Sequence, residues 1–318
     1  MAPTNSLRLD RSTATDILSL VHIRSVLQRL EDTILFQLIE RAQYAHNAKM
    51  YAPGAFAELK TREQWDKSWV EWFLKETESA HAKCRRWQAP DEYPFTDEAL
   101  LPAPILPPIE YPEILYERAV VNVNPTIYSH YRDELVPALT RAHGEGSDDG
   151  QYGSAATRDC DTLSALSRRV HFGMFVSESK FRSDPAAFVG PIQQRDRAAL
   201  EGLITKPEVE AALLVRLASK AKVYGQDLNN LTPSADGGTP KIDTQVVVGL
   251  YKEFVIPLTK VVEVDYLLKR WVQGPLCSSL LARHLQTDQR PSLPPFLTGD
   301  RLDGLSSQEI EELQKSKQ

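Results

Sequence analysis

The stretch from about residue 16 to 45, DILSLVHIRSVLQRLEDTILFQLIERAQYA, constrains the fold more than any other part of the chain. It sustains helical periodicity for some thirty residues, too long for an ordinary globular helix unless it spans the whole molecule. Seen from Arg24, the residues Ile17, Leu20, Val21, Leu27, Leu35, Leu38 and Ile39 all fall within about 60° around the helix axis. Arg24 is therefore expected to point inward from an apolar stripe.

Helical patterning continues along the chain. A second helix is expected over roughly 62–87, followed by LPAPILPPIEYP (101–112), whose five prolines exclude regular helix and predict an extended connector. The pattern returns around 125–143, breaks at HGEGSDDGQYG (143–153) and resumes from Ala155 to Phe181. The break is rich in turn formers and acids and reads as mobile or wrapped around a partner. Thr205, Pro207 and Glu208 predict a helix over 206–222, with Thr205 and Glu208 forming a capping box and Pro207 in the first turn. A loop at 231–241 leads to a helix over about 243–272 that contains Pro257. No strand-rich region or internal repeat stands out, so the expectation is one all-α domain over 1–272. Residues 273–318 lose periodicity and read as an extension, with a short capped helix only in SSQEIEELQK.

Composition narrows the partners. Forty-three acids against 37 bases give a net charge of −6, which argues against a nucleic-acid surface or an anionic membrane. No apolar run approaches a membrane span and the N-terminus lacks the apolar core of a signal peptide, so a cytoplasmic location is expected. Cys84, Cys160 and Cys277 are widely spaced, which suggests neither a disulfide framework nor a zinc site.

Several charged residues sit where an apolar pattern expects none. In LSRRVHFGMFVSESKF (166–181), Arg169 and Lys180 are eleven residues apart, almost three whole turns, so their side chains leave one face about 16 Å apart. Gly173 and Val176 on that stripe leave a shallow apolar floor between two long cations, which is room for a small anion. The alternative is that both cations reach solvent or pair with acids such as Glu178. Thr259 and Glu263 lie one turn apart, and Glu263 is bracketed by Val261, Val262 and Val264, surroundings that favour its protonated form. Glu263 beside Lys260 also fits a surface pair, and Thr259 fits a hydroxyl bonded to its own helix backbone. Glu210 faces either solvent or interior.

The segments HIRSVLQRLEDTILFQLIER, GSAATRDCDTLSALSRRVHFGMFVSESKF and YKEFVIPLTKVVEVDYLLKR closely resemble the eukaryotic, fungal-type chorismate mutases, in the same order from about Thr15 to Arg270. The resemblance implies a chorismate mutase II-like helical domain that rearranges chorismate to prephenate, without metal or cofactor, for phenylalanine and tyrosine biosynthesis. It assigns Arg24 and Arg169 to the substrate carboxylates, Lys180 to the ether oxygen and adjoining carboxylate, and Glu263 to the same ether oxygen from the other side. Glu210 becomes the acceptor for the ring hydroxyl and Thr259 a further polar contact. Lys206 departs from the pattern: it stands one turn before Glu210, where the family commonly has Asn or Asp, and is counted with the substrate-binding positions.

The resemblance also implies a homodimer whose interface binds tyrosine as inhibitor or tryptophan as activator. Arg85 and Arg86, with Gly153, Ser154 and Thr157, match those effector positions. The competing reading is a non-catalytic helical regulator that retains an anion pocket.

Overall fold

Ser19 opens the first long helix: its hydroxyl accepts a hydrogen bond from the His22 amide (3.2 Å), so α1 runs Leu20–Arg41, shorter at both ends than its periodicity suggests. The computed structural model describes residues 17–116, 121–226 and 241–272. The expected tail over 273–318, with its short capped helix, lies outside the described residues, as does nearly all of the loop expected at 231–241.

Arg24 does not point inward. The buried side of α1 is Ile23, Val26, Leu30, Ile34, Leu35, Leu38 and Ile39, and Arg24 is exposed. The reason is that the buried face of α1 is rotated from the expected stripe: Ile23 and Val26, on either side of Arg24 in the chain, face the core, while Arg24 shares the outer side with Leu20 and Val21. Val21, part of the apolar stripe around Arg24, is 78% exposed, and Leu20 is 39% exposed. Arg41, at the other end, is fully buried. Its guanidinium donates to Asp159 (2.7 Å), to the carbonyls of Tyr44, Ala45 and His46, and to the Tyr51 hydroxyl. Asp159 also accepts from the Tyr51 and Tyr131 hydroxyls. Asp159→Asn keeps the shape but leaves a buried cation without its counter-ion, so urea unfolding is expected to show a loss of about 3–5 kcal/mol. A loss below about 1 kcal/mol would mean that the pair does not hold α1 in place.

The helix expected over 62–87 is two helices, α2 (Ala57–Glu63) and α3 (Trp69–Lys83). Gln64 adopts a left-handed φ of 53° at the end of α2, and Ser68 with Glu71 forms a capping box that starts α3 afresh. The proline-rich connector is irregular and largely exposed, as expected; Ile105 fastens it by donating from its amide to the Lys83 carbonyl (2.9 Å).

Proline shapes two further segments. α4 (Asn124–His130) continues through a π-turn, Tyr131–Leu135, into α5 (Val136–Leu139), while α11 (Thr244–Gly249) continues through Leu250–Val255 into α12 (Ile256–Val272). Pro137 and Pro257 each follow their π-turn by two residues and cannot donate to the carbonyl four positions back. The widened turn re-pairs the backbone, with Val136 N–H donating to Tyr131 O and Ile256 N–H to Tyr251 O. Pro257 is thus accommodated without ending the helix.

The acidic break before α6 is pinned rather than loose. Asp149 accepts from the Ala45 amide, the Asn47 side chain and the Gln151 amide, all at 2.9 Å. The expected continuous helix from 155 to 181 divides at Phe172 into α6 (Tyr152–His171) and α7 (Gly173–Ser183). Between 182 and 205, where periodicity alone suggests no element, Asp184 and Asp196 cap two short helices, α8 (Pro185–Gln193) and α9 (Arg197–Ile204). α10 (Pro207–Tyr224) starts without the expected capping box. Thr205 terminates α9, leaving Lys206 at the N-cap, and the buried Thr205 hydroxyl has no hydrogen-bond partner.

No strand occurs among the described residues. α1 packs along α6, α7 packs along α12, and α10 reaches α1 through Arg216 and Lys220, which pair with the buried Glu31. No described helix is long and apolar enough to cross a membrane.

Candidate active site

Gly173 decides how closely α12 can approach. A Cβ built on it would lie 3.0 Å from Glu263 Cγ, 3.1 Å from Thr259 Cγ2 and 3.1 Å from the Thr259 carbonyl. The gap expected between Arg169 and Lys180 is therefore filled by α12, which brings Thr259 and Glu263 between the two cations. Ser177 reinforces the crossing by donating from its hydroxyl to the Glu263 carbonyl (3.0 Å).

Arg169 is buried on α6. It donates to the Thr259 hydroxyl at the long distance of 3.5 Å, its guanidinium carbon lies 6.0 Å from the centre of the buried Tyr251 ring, and its Nε has no hydrogen-bond partner. Lys180, on α7, directs its ammonium at the Ile204 carbonyl, in the corner between α9 and α10. Among the described residues neither cation forms an ion pair, and Glu178 is taken by Arg182 (2.6 Å) and Arg270 (3.2 Å) instead. Pairing with Glu178 is thereby excluded for both. Thr259 donates to its own helix at Val255 O (2.6 Å), leaving only acceptor capacity for Arg169 or a ligand.

Glu263 is buried beside Val262 and Val264, while Val261 is 41% exposed. Burial pushes its carboxyl up to about 7 against the opposing pull of Lys180 and then Arg169; Glu210 adds to the rise and Lys260 opposes it. Burial also holds Lys180 below the ordinary lysine range, partly offset by Glu263, while Lys206 adds to the depression and Glu210 opposes it. Arg169, Lys180, Glu210 and Glu263, on four different helices, thus act on one region.

Glu210 is half-buried, and Lys260 holds it at 3.0 Å. Lys260 therefore serves Glu210 from the neighbouring helix, in place of the surface pair with Glu263 that its sequence position suggests. Lys206 is exposed and its electrostatic effect reaches Lys180. No hydrogen bond or ion pair of Arg24 occurs among the described residues. The segment just before its helix is tied to α7, where the Ser179 hydroxyl donates to the Leu18 carbonyl (2.7 Å). His171 is a core histidine: it accepts from the Val123 amide, and burial pushes its pKa down to about 4.

Sequence reasoning gives Lys260 the wrong partner and misses Tyr251 and the Ile204 carbonyl. Tyr251 stands just before Lys252 and Glu253 in YKEFVIP, and its aromatic character beside a proline-containing helix was the available signal. The backbone carbonyl leaves no signal in side-chain chemistry.

The effector positions form two groups. Arg85 donates to the Leu106 carbonyl and Gln88, while Arg86 pairs with Glu92 and donates to Ser164 (3.0 Å). Gly153, Ser154 and Thr157 occupy the first turns of α6, and the Thr157 hydroxyl donates to Gly153 O. Ser164 lies seven residues beyond Thr157, so the two groups stand roughly 10 Å apart along the helix.

No family model matches the chain. Its sequence is 47% identical over 266 residues to the chorismate mutase of Emericella nidulans, covering 82% of this chain and 96% of that protein. Its fold is similar to that of a Candida albicans chorismate mutase solved in complex with L-tryptophan, with a TM-score of 0.73, 40% identity and coverage of 80% and 93% of the two chains. It is also similar to AtCM1 with tyrosine bound in its allosteric site, with a TM-score of 0.69, 40% identity and coverage of 80% and 98%.

Proposed function

The chain belongs to the fungal-type chorismate mutases, and from that premise we propose that its helical site rearranges chorismate to prephenate through the residues just described. The observation that carries the site assignment is the pair of cations, Arg169 and Lys180, which have no carboxylate partner among the described residues and flank a buried Glu263. Chorismate is a flexible dianion. In the rearrangement one C–O bond breaks as a C–C bond forms within the same molecule, so no nucleophile is required. The protein must hold a compact conformer and stabilise negative charge growing on the ether oxygen.

Arg169 clamps one substrate carboxylate in the two-point geometry of a guanidinium, displacing only a long contact to Thr259. Lys180 is led by the Ile204 carbonyl to donate to the ether oxygen and the adjoining carboxylate. Protonated Glu263 donates to that ether oxygen from the other side. Glu210, held by Lys260, accepts from the ring hydroxyl, and Arg24 swings from the exposed start of α1 onto the second carboxylate. Lys206 adds positive potential at the edge of the site. Mixing the purified protein with chorismate and following loss of substrate absorbance tests the activity; an unchanged signal at micromolar enzyme would exclude it.

The proposal extends to regulation by tyrosine as inhibitor and tryptophan as activator, in a cytoplasmic homodimer. The separation of Arg85 and Arg86 from Gly153, Ser154 and Thr157 supports a site completed by a second copy. Arg85→Ala or Thr157→Ala is expected to weaken the response to both amino acids severalfold while leaving unregulated turnover within about twofold, because coupling requires differential contacts at a separate site. Effector titrations unchanged in both variants would remove these residues from the site.

A further inference from the structure

We propose that Gly173 and Ser177 are positioning residues for the rearrangement, setting the α7–α12 spacing at which Glu263 and Thr259 meet Lys180 and Arg169. The inference rests on the mutase reading but concerns residues that need not touch substrate. Their geometry is distinctive. Three atoms of α12 stand 3.0–3.1 Å from where a side chain at 173 would begin, and two of them belong to Glu263 Cγ and the Thr259 backbone. That is closer than a methyl group is normally tolerated.

The partner helix has little freedom to yield. Thr259 Oγ1 is bonded to Val255 O at 2.6 Å, the Glu263 carbonyl is held by Ser177 at 3.0 Å, and Val262, Val264, Tyr266 and Leu267 of α12 are all buried. A methyl group at 173 would therefore act on the arm of Glu263 and on the Thr259 backbone. Ser177, one turn further along α7, holds the same crossing from the other direction. Glycine at 173 is required for close approach, since its φ is not in the left-handed region.

The consequence is electrical as well as steric. Lys180 faces Glu263 from α7, Arg169 from α6, Glu210 from α10 and Lys260 from α12 itself. Pushing the Glu263 arm away from α7 moves it away from Lys180 and weakens the attraction that favours its ionised form. The midpoint of the alkaline fall in kcat/KM must then move up. A general loss of stability would not move it.

The test compares wild type, Gly173→Ala, Ser177→Ala and the control Gly202→Ala in steady-state chorismate assays from pH 5 to 9, with thermal unfolding of each. Gly202 lies on the exposed side of α9, with nothing within 4 Å of its built Cβ, so its variant is expected to keep wild-type turnover. Gly173→Ala is expected to lose about 10- to 100-fold in kcat, the scale of a sub-ångström to 1 Å misplacement, with an upward-shifted midpoint. Ser177→Ala is expected to lose roughly three- to tenfold in the same direction, as a lost tether rather than a displaced group. A folded Gly173→Ala enzyme with wild-type turnover, or with reduced turnover and an unmoved midpoint, overturns the proposal. If Gly173→Ala does not fold, Ser177→Ala decides: lower kcat with a raised midpoint supports the spacing role, and wild-type values overturn it. An inactive wild type would refute the mutase reading itself, whereas an active wild type with these negative results refutes only the spacing role.

Discussion

Lys180→Ala is expected to lower kcat by about 10²- to 10³-fold, the usual consequence of removing one preorganised donor from a developing oxyanion, while the protein remains folded. The structural reason for the second half is the absence of a carboxylate partner. Removing Lys180 breaks one hydrogen bond, to the Ile204 carbonyl at a corner where water can replace the ammonium, and the buried Glu263 that it attracts can stay uncharged by holding its proton. Arg169→Ala follows the same logic: the variant loses a long contact to Thr259 and a contact with the Tyr251 ring but breaks no ion pair among the described residues, and the buried Glu263 that Arg169 attracts can hold its proton. Because Arg169 grips a carboxylate present in both substrate and transition state, its loss should raise KM as well as lower kcat, whereas the loss of Lys180 should fall mainly on kcat. Turnover and denaturant midpoints measured on the same preparations check both halves. A folded variant of either residue that keeps near-normal kcat/KM would show that the two cations do not converge on the substrate.

Much of this site is legible in the sequence because polar residues interrupt apolar helix faces. Arg169, Thr259 and Glu263 stand out in that way, and all three are buried. Arg24 shows where the method fails. Periodicity groups Arg24 with Leu20 and Val21, but that side of the first turns is exposed, and the same turns bury Ile23 and Val26 instead. The division at Phe172 is equally silent, since α6 and α7 abut without a gap in apolar spacing. The placing of Arg169 and Lys180 on one stripe is therefore visible, but what stands between them is not: α12 passes there, admitted by Gly173. The capping box at Thr205 failed for a local reason, because that residue is already committed to ending α9. Lys260 was misassigned because adjacency along the chain favours Glu263, while the fold turns it toward Glu210 on another helix.

Glu263 carries the most specific chemical expectation. In the proposed mechanism an ionised carboxylate would repel the ether oxygen as charge grows there, so Glu263 is expected to work only when protonated, as a hydrogen-bond donor. Burial raises its pKa to about 7 despite Lys180 and Arg169, which places the working form on the acid side of neutrality. In kcat/KM, which reports the free enzyme, activity should be full below the midpoint and fall as pH rises through about 7. In kcat, which reports the complex, the midpoint should lie higher, because a bound dianion further disfavours ionisation. Loss of the Lys180 proton adds a second decline at higher pH, below the ordinary lysine range.

Glu263→Gln keeps an N–H donor that cannot ionise, so the first decline should vanish and the second remain. The decisive measurement is the pH dependence of kcat/KM for wild type and Glu263→Gln, recorded side by side from pH 5 to 9. An active glutamine enzyme whose profile stays flat through neutrality, beside a wild type that falls with a midpoint near 7, is the predicted result. An inactive glutamine enzyme, or one that falls with the wild-type midpoint, would contradict a protonated Glu263 donating to the breaking bond.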